Sequence, residues 1–397
     1  MSIRTVSASP TTSNAGLNTK TLNGGYRPST ATAWVRNSEW LALPTVLSSE
    51  QKVVGLYAIF EQSNFIAFTF AGAYTVDWGD GVVENFTSST TAYHEYSYTN
   101  SAFDGTLTSA GYKQAIVTIT PQAGNNLTTV NLNVKHNQSG LQSYVTGWLD
   151  VKISAVNCTS LTVGASATTI RQFILEQVEI INLGSISVTS LFQNCRSLRN
   201  VIFFSGFAPT NCSNMFASCY ALTTVPLFNT AAVTAMNNMF SSCYSLTTVP
   251  LFNTAAVYTM SSMFNACYSL TAVPLFNTVA VNTMNNMFSS CYSLASVPLF
   301  NTVAVNTMSS MFNSCYSLTT VPLFNTVAVA SMTSMFSSCY SLTTVPLFNT
   351  AAVNNMASMF NFCSSLASVP LFNTAAVNTM ASMFNFCSSL ASVPLFN

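Results

Sequence analysis

The chain has 397 residues, 49% of them hydrophobic and 6% charged, and its 11 basic and 11 acidic side chains leave no net charge. Charge this sparse and balanced excludes a surface that holds nucleic acid through Lys and Arg, and no stretch reaches the roughly 18 uninterrupted apolar residues of a membrane span. All 22 charged residues lie at or before Arg199, so the 198 residues from Asn200 onward, which contain no Lys, Arg, Asp, Glu or His, have no titratable carrier for acid–base catalysis near neutral pH and no carboxylate or imidazole ligand for a metal.

Residues 1–45 have neither a helical nor a strand period. They are rich in Ser, Thr, Asn and Gly and contain Asn23-Gly24-Gly25 and Arg27-Pro28, which reads as an extended N-terminal arm. No apolar run of 7 to 15 residues follows the few basic residues, as a secretory signal requires, so the chain is expected to be made in a cytoplasm. Trp34 and Trp40 close the arm and are expected either to pack on the next domain or to anchor the arm in a partner.

From 46 to 140 the pattern turns alternating and β-branched, as in Phe65-Ile66-Ala67-Phe68-Thr69-Phe70 and Ala115-Ile116-Val117-Thr118-Ile119-Thr120, and predicts strands. The run Tyr74-Thr75-Val76-Asp77-Trp78-Gly79-Asp80-Gly81, with His94-Glu95-Tyr96 after it, resembles the polycystic-kidney-disease-type (PKD-like) immunoglobulin-like domain. That resemblance implies a β-sandwich with Gly79 and Gly81 in a tight turn, Trp78 on the strand entering it, and His94 and Tyr96 on a later strand. Asp77 and Asp80 read as turn residues, since a calcium loop of the EF type needs further carboxylates ending in Glu. A nucleophile–histidine–carboxylate set would have to use His94 or His136, the two histidines. There is no Gly-x-Ser-x-Gly elbow, P-loop or Gly-x-Gly-x-x-Gly turn. The chain is therefore expected to be no enzyme and to hold no cofactor.

Residues 141–198 keep the apolar skeleton of a coil in Leu175-x-x-Val178-x-Ile180 and Val188-x-x-Leu191-Phe192-x-x-Cys195, but carry Arg171, Glu176, Glu179, Arg196 and Arg199 on or beside it. Irregular, charged terminal repeats are what a solenoid uses to cap its core. From 199 to 397 the repetition is strict: nine cysteines from Cys195 to Cys387 stand 24 residues apart, each in a phrase of the type Met-Phe-x-x-Cys-x-Ser-Leu-x-x-Val-Pro-Leu-Phe-Asn-Thr. A fixed period of this length means stacked units sharing one continuous core.

In the coil 222–245, Leu222, Val225 and Leu227 are expected to point into the core from a short strand, with Pro226 near its end and Phe228 and Asn229 turning the chain out. Thr230 is expected to cap a return segment in which Val233, Met236, Met239, Phe240 and Cys243 fall at helical steps. The predicted fold is thus mainly β with short helical segments: arm, immunoglobulin-like sandwich, then a leucine-rich-repeat solenoid of 24-residue coils. The recurring Met and Cys read as core packing. A zinc site would want paired cysteines or accompanying histidines, and an odd total of 11 cysteines without Cys-x-x-Cys argues for free thiols in a reducing compartment.

Two surfaces stand out. Tyr220, Tyr244, Tyr268, Tyr292, Tyr316 and Tyr340 follow the cysteine in six successive coils and give way to Ser364 and Ser388 in the last two. They form either a structural ladder of half-buried rings or a stacking strip for a neutral glycan or an apolar partner. Leu390, Val393, Leu395 and Phe396 belong to the final coil, and are expected to be covered by another copy or another protein.

The solenoid phrase resembles the BspA-type leucine-rich repeat of bacterial surface proteins, although Pro-Leu-Phe-Asn-Thr stands here where relatives of that repeat often carry an acidic segment. The combination of arm, hairpin domain and neutral repeats is also similar to structural proteins of tailed phages. These resemblances imply a virion-associated adhesin or fibre protein whose partners are other virion proteins and a host glycan or surface protein, without nucleic acid or membrane insertion. The alternatives are a bacterial cell-surface adhesin and a purely structural virion component.

Overall fold

The computed structural model describes residues 33–61, 64–134, 136, 147–164, 174–184 and 186–396. Most of the expected arm, residues 1–32, lies outside them, as do 137–146, Arg171 and Asn397.

The strands in chain order are β1 (Lys52–Ile59), β2 (Phe65–Ala71), β3 (Tyr74–Asp77), β4 (Val83–Phe86), β5 (Thr91–Glu95), β6 (Lys113–Pro121), β7 (Thr129–Asn131), β8 (Trp148–Ala155), β9 (Ser160–Thr162), β10 (Gln177–Leu183) and β11 (Asn200–Phe203). They form two sheets, one ordered β11-β10-β8-β1-β6-β3-β4 and the other β5-β2-β7-β9. The first sheet joins the two halves of the chain. β1 pairs antiparallel with both β6 and β8, while β8, β10 and β11 run parallel, one coil after another. β9 is likewise parallel to β7 of the second sheet.

The two sheets enclose an aromatic core in which Phe68 of β2 meets Trp78 and Trp148 at 5.3 and 6.2 Å, and Tyr57 meets Trp148 edge-on at 5.3 Å. Gly55 makes room for that tryptophan, because a Cβ there would lie 2.3 Å from its ring. Buried apolar contacts continue without a break from Val53 through every coil to Met383.

Residues 33–50 cover the outer face of the first sheet. Trp40 is buried against Leu56, Ala58, Tyr112 and Leu149, and its indole N–H donates to the Tyr112 hydroxyl at 2.8 Å. Arg36 reaches the buried Asp150 carboxylate at 2.8 Å, supplying the charge partner that a buried carboxylate requires. Of the two expectations for Trp34 and Trp40, packing back on the domain is the one the fold displays.

The turn after β3 is built from its own side chains. Asp77 Oδ1 accepts from the Gly79 N–H and Asp80 Oδ1 from the Val82 N–H. Gly79, at φ 78°, occupies the left-handed region, and a Cβ there would sit 2.6 Å from the Ile116 carbonyl oxygen. His94 stacks on Trp78 at 4.7 Å while its Nε2 lies 2.8 Å from Asp80 Oδ2, and the Tyr96 hydroxyl donates to the Trp78 carbonyl.

The coils depart from the sequence expectation in two ways. First, the return segments are not helices: the one helix among the described residues is the 3-10 turn Ser101–Phe103. Along 236–243, alternate N–H groups leave the coil. Met236, Asn238, Phe240 and Ser242 donate to the carbonyls of Thr259, Ser261, Met263 and Asn265 in the next coil at 2.7–3.1 Å, while Met239, Ser241 and Cys243 close turns onto the residue three back. Repeated turns also bring a residue inward every three or four positions, which is why the spacing imitates a helix. Asn238 and Ser242 sit at φ 54° and 62°, and their counterparts do so in every coil. Small polar residues tolerate that region best and are weak helix formers. Second, 222–227 forms no regular strand. Pro226 has no N–H to give to a ladder, the inter-coil bonds concentrate on the return segment, and Leu227, expected inside, is 65% exposed whereas Phe228 is buried.

Side chains repeat the same coil-to-coil logic. The buried Thr230 hydroxyl donates to the Asn253 carbonyl of the next coil while Asn229 Oδ1 caps the Ala231 N–H, and both bonds recur along the stack. Each thiol from Cys219 to Cys387 donates to a phenylalanine carbonyl of the preceding coil at 3.0–3.2 Å. All eleven cysteines are free, ten of them buried and Cys387 half-buried.

Left-handed positions and thiols each yield a test. Ser290→Val should destabilise by about 1–2 kcal/mol, because at φ 61° a β-branched side chain is strained where the native Ser is tolerated, while Ser290→Gly should hold or raise stability; urea unfolding of both variants decides it. Burial raises every repeat thiol, Cys363 from 9.0 to about 12, and raises Cys212 outside the repeat to about 12 as well. A thiol whose folded value is raised contributes stability that is complete below its unfolded value and lost as pH rises toward the folded one. The melting temperature should therefore stay level up to about pH 9 and then fall steeply through pH 12, and a thiol reagent at neutral pH should label Cys387 first and the rest only on denaturation.

Candidate interaction surface

One residue after each buried cysteine the chain turns outward, and there the six tyrosines from Tyr220 to Tyr340 come together. Their rings stack at 4.4, 4.5, 4.5, 4.4 and 4.8 Å between successive coils, with interplanar angles of 24° or less. The spacing is imposed by the backbone: coils joined by parallel hydrogen bonds lie roughly 4.8 Å apart, a distance at which identical rings stack. The Arg196 guanidinium lies 4.7 Å from the Tyr220 ring centre, a cation–π contact at the head of the column. Burial and the neighbouring phenols raise Tyr316 from 10.0 to about 12. Because each interior ring has another on either face, the column offers its edges and hydroxyls to a partner. Tyr340, 42% exposed, is its last ring.

Where the tyrosines stop, phenylalanines begin on the other side of the cysteine. Phe362 and Phe386 stack at 4.5 Å, are 40% and 63% exposed, and hold φ of 61° and 58°. Sequence reasoning missed this pair. The signal was available, since both phenylalanines replace a serine or alanine of the earlier coils, next to the cysteine.

A third row is the largest. From Leu227 to Leu371 the leucine of each Val-Pro-Leu-Phe phrase is 55–65% exposed. Two adjacent large apolar residues in an extended segment point to opposite sides, so Phe228 and its counterparts fill the core and the leucines face out. Val279, Val303 and Val327, four residues further along three successive coils, are 46–51% exposed.

The four residues predicted for the final coil divide between two columns. Leu390, Val393 and Phe396 are the counterparts of the buried Leu222, Val225 and Phe228 and are more exposed than these, Val393 at 47%, although Phe396 still stacks on Phe384 at 6.1 Å. Leu395, 93% exposed, belongs to the outward leucine row.

In the charged region Glu176, Arg199, Trp34 and Thr223 line a shallow recess of about 230 Å³, where the Trp34 indole donates to Glu176 at 3.1 Å and Arg199 lies 3.8 Å from the same carboxylate. Among the described residues no group of three or more His, Cys, Asp or Glu converges as a metal site requires, and no helix is long and apolar enough to cross a membrane.

The family described as "Mycoplasma protein of unknown function, DUF285" matches residues 210–321 and 294–394, which together make up less than half of the chain. No curated protein matches. Among solved structures, the chain is similar to a leucine-rich repeat protein from Eubacterium ventriosum at 15% identity and a TM-score of 0.32, over 62% of this chain and 86% of that one. It is also similar to the pneumococcal vaccine antigen PcpA at 16% identity and a TM-score of 0.33, over 56% and 68% of the two chains.

Proposed function

We propose that the chain is a non-enzymatic adhesion or fibre protein of a virion, in which the solenoid meets a host surface or neighbouring subunits and residues 46–140 act as a PKD-like spacer beyond an arm, 1–45, that docks on the particle. The observation that carries this reading is a solenoid of almost 200 residues without charge that repeats the same outward side chains coil after coil. Such a surface recognises by shape, apolar contact and neutral hydrogen bonds, and aromatic rings with polar tips are favoured at interfaces of that kind. The self-capped turn around Asp77 and Asp80, with His94 and Tyr96 packed against Trp78, supports the spacer assignment. A bacterial cell-surface adhesin is the second reading, favoured by the likeness of the repeat phrase to that of surface leucine-rich repeats.

Immunogold labelling with antibody against the solenoid, applied to the producing cells and to particles they release, separates the two. Label on released particles supports the virion, label on the cell envelope supports the second reading, and label confined to the cell interior overturns both. The tyrosine column is tested by changing Tyr268, Tyr292 and Tyr316 together to Ser, the residue that Ser364 and Ser388 supply in the last coils. Melting should change little and adhesion to host cells should weaken, its dissociation constant rising at least tenfold; unchanged adhesion assigns the column to coil stacking alone.

A further inference from the structure

Among the described residues the leucine row is the longest run of exposed apolar side chains, and nothing in the fold requires it. An exposed leucine contributes nothing to the core, whereas a polar residue at the same place would be equally compatible with the buried phenylalanine beside it. Seven leucines at 55–65% exposure, with three valines at 46–51%, present on the order of 800 Å² of apolar surface, the area that each partner contributes to a standard protein interface and more than the largest patch of a typical monomer.

We propose that this row is the seam of a lateral dimer between two copies of the chain, solenoid beside solenoid. Three features select a second copy as the occupant. The leucines recur once per coil at the pitch fixed by the parallel backbone bonds, and a second copy is a surface certain to offer apolar side chains at the same pitch, so that the two rows lie against each other along their length. A patch that contacts its own counterpart around a two-fold axis is self-complementary by construction. The solenoid from Asn200 onward has no charged side chain, so pairing the rows neither desolvates an ion nor brings like charges together. The seam runs along the side of the solenoid from Leu227 to Leu371, and Leu395 of the last coil prolongs it.

The native thiols make a direct test simple, because ten of the eleven are buried and the other, Cys387, is half-buried. Leu299 lies at the middle of the row, within about one coil of its counterpart whether the rows run parallel or antiparallel. In a full-length chain carrying Leu299→Cys and Cys387→Ala, a short bis-maleimide should give a covalent dimer in most of the protein at micromolar concentration, and the same background without Leu299→Cys should give none. Leu275→Glu, Leu299→Glu and Leu323→Glu combined should convert the dimer seen by sedimentation into a monomer with an unchanged circular dichroism spectrum, while Phe396→Glu in the last coil should leave the dimer intact. A wild-type chain that sediments as a monomer at these concentrations, a dimer that survives the three glutamates, or one that is lost with Phe396→Glu alone would overturn the proposal.

Discussion

Everything regular in this molecule depends on one set of interactions, the hydrogen bonds that alternate residues of the return segment make to the next coil. Four per coil in 236–243, each 2.7–3.1 Å long, hold neighbours at the spacing of a parallel sheet. Any side chain that recurs every 24 residues then becomes a column. The phenylalanines inside stack at 5.5–5.8 Å from Phe216 to Phe384, the tyrosines outside at 4.4–4.8 Å. Thiols, threonine hydroxyls and asparagine amides complete the satisfaction of the backbone between and within coils. Each such bond is worth about 1 kcal/mol net, and the columns are stable because they are repeated, as expected of an array in which a unit contacts only its neighbours.

The same ladder explains the amino-acid usage. Two left-handed residues per coil are the cost of turning the return segment without a helix, and Asn, Ser or Ala takes nearly all of those places. Phe362 and Phe386 are the exceptions among the coils, bulky rings held at positive φ and partly in solvent. Strain of this type concentrates where the surrounding structure imposes it or function uses it. Here their mutual stacking at 4.5 Å offsets part of that cost.

Much of this was legible in the chain. The 24-residue period, the buried Cys and Met, and the free thiols follow from spacing and composition, whereas Trp40 was left open between packing on the domain and anchoring in a partner. The tyrosine column was identified correctly as a column, but its rings occupy one another's faces. Two features were misread for one physical reason each. Turns closing three residues back and a helical face both bring apolar side chains inward every three or four positions, so Val233, Met236, Met239, Phe240 and Cys243 could not distinguish them; Asn238 and Ser242 could. Leu227 fits the Leu-x-x-Leu-x-Leu template by letter, yet the adjacent Phe228 competes for the same interior, and in an extended segment only one of the two can win it. Missing that competition hid the leucine row. The joining of β1 to β8 lay beyond local pattern, because antiparallel partners almost 100 residues apart leave no periodic trace.

The architecture separates what varies from what is held. The charged residues, 22 in all, are confined to the first 199 positions, where they fasten unique contacts such as Arg36 to Asp150 and Lys152 to Glu179. From Leu222 onward most positions recur every 24 residues, and a coil can be copied without rewriting its neighbours, as the identity of residues 357–373 and 381–397 illustrates. Each copied coil lengthens every outward row by one side chain at an unchanged pitch. A partner that recognises a row therefore gains contact area in equal steps with coil number, and its orientation remains fixed by the backbone ladder. Under the proposed interaction role, affinity on such a surface would follow the number of identical coils, and specificity would come from the few places where a row is interrupted, such as Tyr340 beside Ser364 and Phe362.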